Sequence, residues 1–231
     1  MYPSLLPPSV QLPLLDKLLH RDLSNPKHQT NIHLHYDFPY PEEHKSFFDS
    51  TAKYLQFEPK DPSIHKPLTT AQLLTKKLRW TTLGGQYDWT NKVYPSSAPP
   101  SFPSDVKSLI ERTFPMKAEA AIVNLYSPGD TLSLHRDVSE ECNRPLVSIS
   151  LGCDAIFTCG LDEERVATLR LKSGDAVLMS GESRYAWHGV PKVLEGSCPE
   201  WMADWPGEGY EEWKGWMSGK RINLNVRQMF A

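Results

Sequence analysis

The heptad RINLNVR, residues 221–227, decides how this chain is read. As a strand its side chains alternate faces, so Ile222, Leu224 and Val226 point one way and Arg221, Asn223, Asn225 and Arg227 the other. Two guanidiniums and two amides on one face admit two readings. One is a solvated edge face, common in antiparallel sheets. The other is a cradle for a small dianion, because a guanidinium fork matches a carboxylate with two parallel bonds.

Upstream of the heptad the chain has a β texture. AAIVNLY, TLSLH, LVSISLG, AIFTCG, VATLRL and DAVLMSG are short apolar runs, separated by turn formers such as SPGD, LDEE and KSGD. Strands at roughly 8–12-residue spacing read as a sandwich or barrel. Residues 193–220 interrupt the pattern and carry Trp201, Trp205, Trp213 and Trp216, which reads as a packed cap or a partner surface. The first half is mixed. SVQLPLLDKLLHRDLS has helical spacing behind Ser9 as a candidate cap, and TTAQLLTKKLR and SDVKSLIERTF read as two shorter helices, the second capped by Ser104. Between them lies a Gly-, Pro- and aromatic-rich stretch with the character of a hairpin or loop.

Bulk composition sets the limits. The 231 residues are 39% hydrophobic, enough for one large domain with a real core. No apolar run approaches the roughly 18 residues of a membrane span. The N-terminal residues do not read as a signal or transit peptide, so a soluble intracellular protein is expected. The four cysteines show no zinc spacing. A formal net charge of −3 argues against a wholly basic nucleic-acid binder and leaves room for a local basic patch.

LHRD places His135 and Asp137 two apart, on one face of a strand, and His188 follows in YAWHGVP. Two histidines and a carboxylate with open positions suit a non-haem Fe(II) site. NIHLHYD offers a competing set, His33, His35 and Asp37. Three ligands on one short strand would strain facial coordination, and this set reads as a packed surface strand. The order H-x-D, later His, then an arginine-bearing strand is a joint pattern, and it favours the cradle reading of RINLNVR.

On NLYSPGDTLSLHRD, SGDAVLMSGESRYAWHGVP and RINLNVR, with the looser RWTTLGGQYDW upstream, the sequence resembles the AlkB family of Fe(II)- and 2-oxoglutarate-dependent dioxygenases, in its eukaryotic homologue-1 branch. The match covers roughly residues 78 to 230. The resemblance implies an α+β fold: a double-stranded β-helix, or jelly roll, with N-terminal helices and a nucleotide-recognition lid. Residues 1–75 would be an extension packed on the core, 76–118 the lid and a supporting helix, and 119–231 the catalytic core with the insertion at 193–220, all in one structural domain. His135, Asp137 and His188 would ligate the iron. Arg221 and Asn223 would hold the distal carboxylate of 2-oxoglutarate with Tyr126 nearby, and Asn124 and Arg227 would lie on the keto-acid side. Two departures stand out. The family often has Thr or Ser where this chain has Asn225, and Ser139 followed by Glu140 stands where the bacterial prototype has a base-facing carboxylate, so the resemblance implies that these two contact the substrate.

The implied activity is oxidative demethylation of methylated bases, such as N6-methyladenine in DNA or 1-methyladenine and 5-methylcytosine in tRNA, releasing formaldehyde, succinate and carbon dioxide. By match to the lid, Trp80 and Tyr87 would contact the base. Aromatics stack on unpaired bases, and Lys76, Lys77, Arg79 and Lys92 supply local positive charge. The alternative is that Trp80 is core and the lysines a solvated helix face. Single-stranded or distorted DNA, or tRNA, is the expected partner of a monomer in the nucleus or cytoplasm, with the mitochondrion left open. Two rival functions remain: the same chemistry on a protein such as a histone tail, and a catalytically silent nucleic-acid-binding module.

Overall fold

A computed structural model describes residues 1–88, 98–138, 140, 142–162 and 164–230. Helix α1 (Pro8–Asp16) runs on through a wider π-type turn, Lys17–Asp22. It starts one residue before Ser9, because a proline at the first helical position loses no hydrogen bond that the helix needs. A two-residue pair, β1 (Gln56–Phe57) and β2 (Leu68–Thr69), leads into α2 (Thr70–Gln72), where Thr69 forms a reciprocal cap with Gln72. Then come β3 (Trp80–Gly84) and α3 (Ser104–Thr113), whose cap position is Pro103 rather than Ser104.

The β-rich half follows the apolar runs of the sequence. Its strands are β4 (Ala120–Tyr126), β5 (Leu132–His135), β6 (Leu146–Gly152), β7 (Ala155–Gly160), β8 (Val166–Leu171), β9 (Ala176–Met179), β10 (Trp187–Val193) and β11 (Arg221–Arg227). The SPGD and KSGD turns place Gly129 and Gly174 at φ of 90° and 87°, left-handed positions that glycine takes without a Cβ clash. All pairings are antiparallel and form two main sheets, ordered β3-β4-β11-β6-β9 and β5-β10-β7-β8. Counted from β4, the strands read 1-8-3-6 and 2-7-4-5, the strand order of a jelly roll.

The heptad is therefore not an edge. Strand β11 sits between β4 and β6 and is buried along its whole length. Ile222, Leu224 and Val226 are fully buried on the outer side, in a core shared with Leu15, Leu18 and Leu19 of the N-terminal helix and with Leu83 of β3. Each such leucine contributes about 1.5–3 kcal/mol by leaving water. Trp80, expected in a lid outside the barrel, begins an edge strand of the large sheet, because Trp80–Gly84 ladders onto β4.

The insertion is a cap over this core, with α4 (Glu200–Ala203) near its start. Trp205 donates its indole N–H to Asp16 Oδ1 at 2.6 Å, and Trp216 donates to Leu74 O at 3.2 Å. Both rings, and that of Trp213, pack edge-on against Phe48. Trp201 stands 43% exposed. Trp216→Ala should therefore destabilise the protein by about 3–5 kcal/mol in urea unfolding, whereas Trp201→Ala should change it by no more than about 0.5 kcal/mol. Equal effects would show that the insertion does not seal the core.

Candidate metal and anion site

Strand alternation brings most of the singled-out residues into one cavity of about 450 Å³ between the sheets. His135 and His188 are direct cross-strand neighbours on β5 and β10, with ring centroids 4.3 Å apart. Each ring makes the same local bond: His135 Nδ1 lies 2.9 Å from Ser133 O, and His188 Nδ1 lies 3.0 Å from Ala186 O. A carbonyl only accepts, so each Nδ1 carries the proton and each Nε2 presents a lone pair. Those Nε2 atoms face the Asp137 carboxylate at 3.7 and 3.9 Å. Ligand atoms of the three residues lie within 4.8 Å of one another, a separation that one ion can span. Two imidazole nitrogens and one carboxylate oxygen fit Fe(II) and leave coordination positions open.

The electrostatics suit ligation. Burial pushes the His188 pKa down, which keeps its imidazole neutral. Burial alone would raise that of Asp137, but Arg227 and the two histidines outweigh it and hold the carboxyl below its usual range. Arg227 donates from Nη2 to Asp137 Oδ2 at 2.8 Å, and Asn225 Nδ2 lies 3.4 Å from the same oxygen. Arg227, expected on the keto-acid side, thus lines the cavity while steering the metal-facing carboxylate.

At the other end of β11, Arg221 is 1% exposed. Its Nη2 donates to Ser150 Oγ at 2.8 Å, and its guanidinium lies 5.2 Å over the Tyr126 ring. Among the described residues no carboxylate pairs with it: the Tyr126 phenol is its polar neighbour, and its Nε and Nη1 are buried with no acceptor in hydrogen-bond geometry. Desolvation accordingly lowers its pKa. Asn223 donates to Ser148 Oγ at 2.7 Å and to Ile149 O at 3.1 Å, and its Oδ1 accepts from Asn124 at 3.4 Å. Asn124 and Tyr126 face Asn223 and Arg221 directly across the β4–β11 ladder. Buried charges are paired in folded proteins, so this pocket end is built for an anion that the chain itself does not supply. One carboxylate of 2-oxoglutarate fits that demand.

Three expectations change. Glu140 does not face the cavity: its carboxylate is 1% exposed and lies 2.7 Å from Arg184 Nη2 and 3.3 Å from Arg227 Nε. Two buried guanidiniums draw it under the site. Ser139 lies outside the described residues, as does Lys92. Tyr87 lines the cavity, whereas Trp80 pairs with Asn124 at the sheet edge and is not part of the lining. The His33, His35 and Asp37 stretch is not a strand. It is a 3-10 turn, Asn31–Leu34, in which His33 Nδ1 accepts from Thr30 N at 2.9 Å and its ring stacks on Phe38 at 4.4 Å. Asn31 beside it bridges Lys77 O and Arg79 N, each at 2.8 Å, and so braces the entry to β3.

Sequence reasoning missed three supports. Ser148 and Ser150 hold Asn223 and Arg221, and the alternating hydroxyls in LVSISLG were the available signal. Arg184 gave none. It is 2% exposed and donates to Asp137 O at 2.7 Å, to Arg144 O at 2.9 Å and to Glu140, pinning the loop that carries Asp137.

The 2OG-Fe(II) oxygenase superfamily model matches residues 31–227. The chain is 54% identical to the N6-methyladenosine RNA demethylase ALKB1 of Pyricularia oryzae, over 99% of this chain and 73% of that protein. It is 41% identical to the tRNA demethylase abh1 of Schizosaccharomyces pombe, over 95% of this chain and 75% of that one. The solved structure of OsALKBH1 superposes with a TM-score of 0.51 at 26% identity, covering 65% of this chain and 79% of the other. The chain belongs to the 2OG-Fe(II) oxygenase superfamily and, within it, to the AlkB family. Fe(II) and 2-oxoglutarate are the cofactor and co-substrate of that family.

Because Glu140 compensates two buried cations, Glu140→Gln should cost about 3–5 kcal/mol in denaturant unfolding. An unchanged midpoint would mean that Arg184 and Arg227 find other counter-charges.

Proposed function

We propose that this protein oxidatively removes N-methyl groups from bases in nucleic acid, with methylated RNA as its substrate. His135, Asp137 and His188 hold the iron, and Arg221 receives the distal carboxylate of 2-oxoglutarate with Tyr126 at its side. Arg227 and Asn225 orient Asp137. When bound, iron and 2-oxoglutarate supply oxidation of the methyl carbon by dioxygen, with succinate and carbon dioxide as co-products and formaldehyde released. The protein's own residues bind, orient and exclude water.

The observation that carries the reading is the buried Arg221 charge at one end of the cavity whose other end holds the His–Asp–His set. A silent binding module would have no need to retain both. The RNA substrate is supported by the two relatives named as RNA and tRNA demethylases. Tyr87 at the cavity wall would act as the base-contacting aromatic of a lid, and Trp80 would back it from the sheet edge. Lys76 and Lys77 are exposed on the segment leading into β3, and Arg79 is ion-paired with Asp130. The two lysines offer phosphate contacts that position a strand without reading its sequence.

Turnover should be measured side by side on methylated RNA, methylated DNA and a methylated histone peptide. The expected result is formaldehyde equal to succinate on RNA, abolished by His135→Ala together with metal binding, and kept by the His33→Ala/His35→Ala double variant. Peptide turnover without RNA turnover would replace the nucleic-acid reading by the protein-substrate one. Loss of metal in the double variant, with activity in His135→Ala, would move the iron.

A further inference from the structure

Each of the two cavity-facing histidines has a neighbour at the cavity rim. His135 faces His188 across β5 and β10; Arg136 follows the end of β5, and Trp187, one step before His188 on β10, takes the opposite face of that strand. The Arg136 guanidinium lies 5.0 Å over the Trp187 ring. Arg136 also lines the cavity, which makes it the link between inside and outside. Trp187 is 47% exposed, an expensive position for so large a ring, and Leu134, Val138 and Tyr185 stand exposed around it. Exposed apolar clusters at a site's mouth mark contact surfaces.

We propose that Arg136 and Trp187 form a stacking platform for the nucleobase next to the methylated one. This rests on the nucleic-acid reading above. A base delivered to the iron must leave its stack, and its neighbour then loses a partner at the rim. An indole offers a π-face that accepts any base, and a guanidinium plane can stack or meet a phosphate. The pair supplies both, one at the end of β5 and one on β10, held together before substrate arrives. On the other side of β10, Trp187 pairs with Gly160 at the end of β7, and the β7–β8 turn that follows carries Asp162 and Glu164. Arg165 of that turn pairs with Asp162 and lies 3.7 Å from Glu182, so three carboxylates share one cation there and that edge disfavours phosphate.

The test is a double-mutant cycle between protein and substrate, read as affinity by fluorescence anisotropy on metal-loaded protein. The RNA oligonucleotides carry one methylated adenine, with an ordinary or an abasic neighbour on each side in turn. Trp187→Ala should weaken binding of the intact oligonucleotide by about 5- to 150-fold. On the oligonucleotide abasic at the stacked position it should cost almost nothing more. Trp187→Tyr should recover most of the loss. Arg136→Gln should reduce the salt slope by about one, and Trp187→Ala should leave the slope alone. Equal losses on intact and abasic strands would mean that Trp187 acts only by shaping β10, and the platform would be wrong while the nucleic-acid reading stood. Failure of the wild type to bind any oligonucleotide would overturn both. Binding of a methylated peptide that Trp187→Ala weakens would assign the surface to protein instead.

Discussion

A central strand that buries four polar side chains on one face is a costly way to build a sheet, and everything in this fold follows from accommodating it. Strand β11 is flanked on both sides and its polar face opens only into the cavity, so Arg221, Asn223, Asn225 and Arg227 are almost wholly removed from bulk water. Most of their groups find partners nearby: serine hydroxyls from β6, an amide from β4 and the carboxylates of Asp137 and Glu140. Arg221 alone of the four keeps two buried nitrogens, Nε and Nη1, out of hydrogen-bond geometry, with the neutral Tyr126 phenol beside it and no carboxylate among the described residues. A structure that tolerates such a charge gains its compensation from a ligand.

The same strand joins the two ends of the site. Arg227, at its C-terminal end, grips the carboxylate that completes the metal set, and Arg184 fastens the backbone of that same aspartate from the other side. Arg227, which holds the metal-facing Asp137, and the anion-facing Arg221 are thus parts of one ladder, and the hydrophobic side of the strand locks that ladder to the N-terminal helix and the tryptophan cap. Precision at the site derives from this: two histidines on paired strands, with tautomers fixed by carbonyls two residues back, and an aspartate held by two arginines need little rearrangement to receive an ion.

Much of this was legible in the sequence because period-two alternation carries geometry. H-x-D, N-x-Y and R-x-N-x-N-x-R each name residues that share a face, and eight of the eight expected metal and 2-oxoglutarate residues line one cavity. What alternation does not reveal is which face a loop residue takes. Glu140 follows Asp137 by three positions in a loop, and its destination is set by two arginines distant in the chain. Trp80 was read as lid by its match to the family's lid motif, with a core position as the alternative, and its β-branched neighbours Thr81 and Thr82 ladder with it onto β4. His33 was read as a strand residue from the spacing of NIHLHYD, and a Thr30 cap turned the segment into a 3-10 helix instead.

The most direct measurement is thermal unfolding of the Mn(II)-loaded protein with and without 2-oxoglutarate, for the wild type and for Arg221→Met. A ligand at about 100 times its Kd stabilises by about 2.7 kcal/mol, or about 5–10 °C in a chain of this size. The wild type should show that shift. Arg221→Met, which removes a desolvated charge and keeps most of its volume, should match or exceed the wild-type Tm without ligand and lose the shift. A variant that is still stabilised to the wild-type extent by 2-oxoglutarate would contradict the account, because the buried charge on β11 would then have no anion to serve.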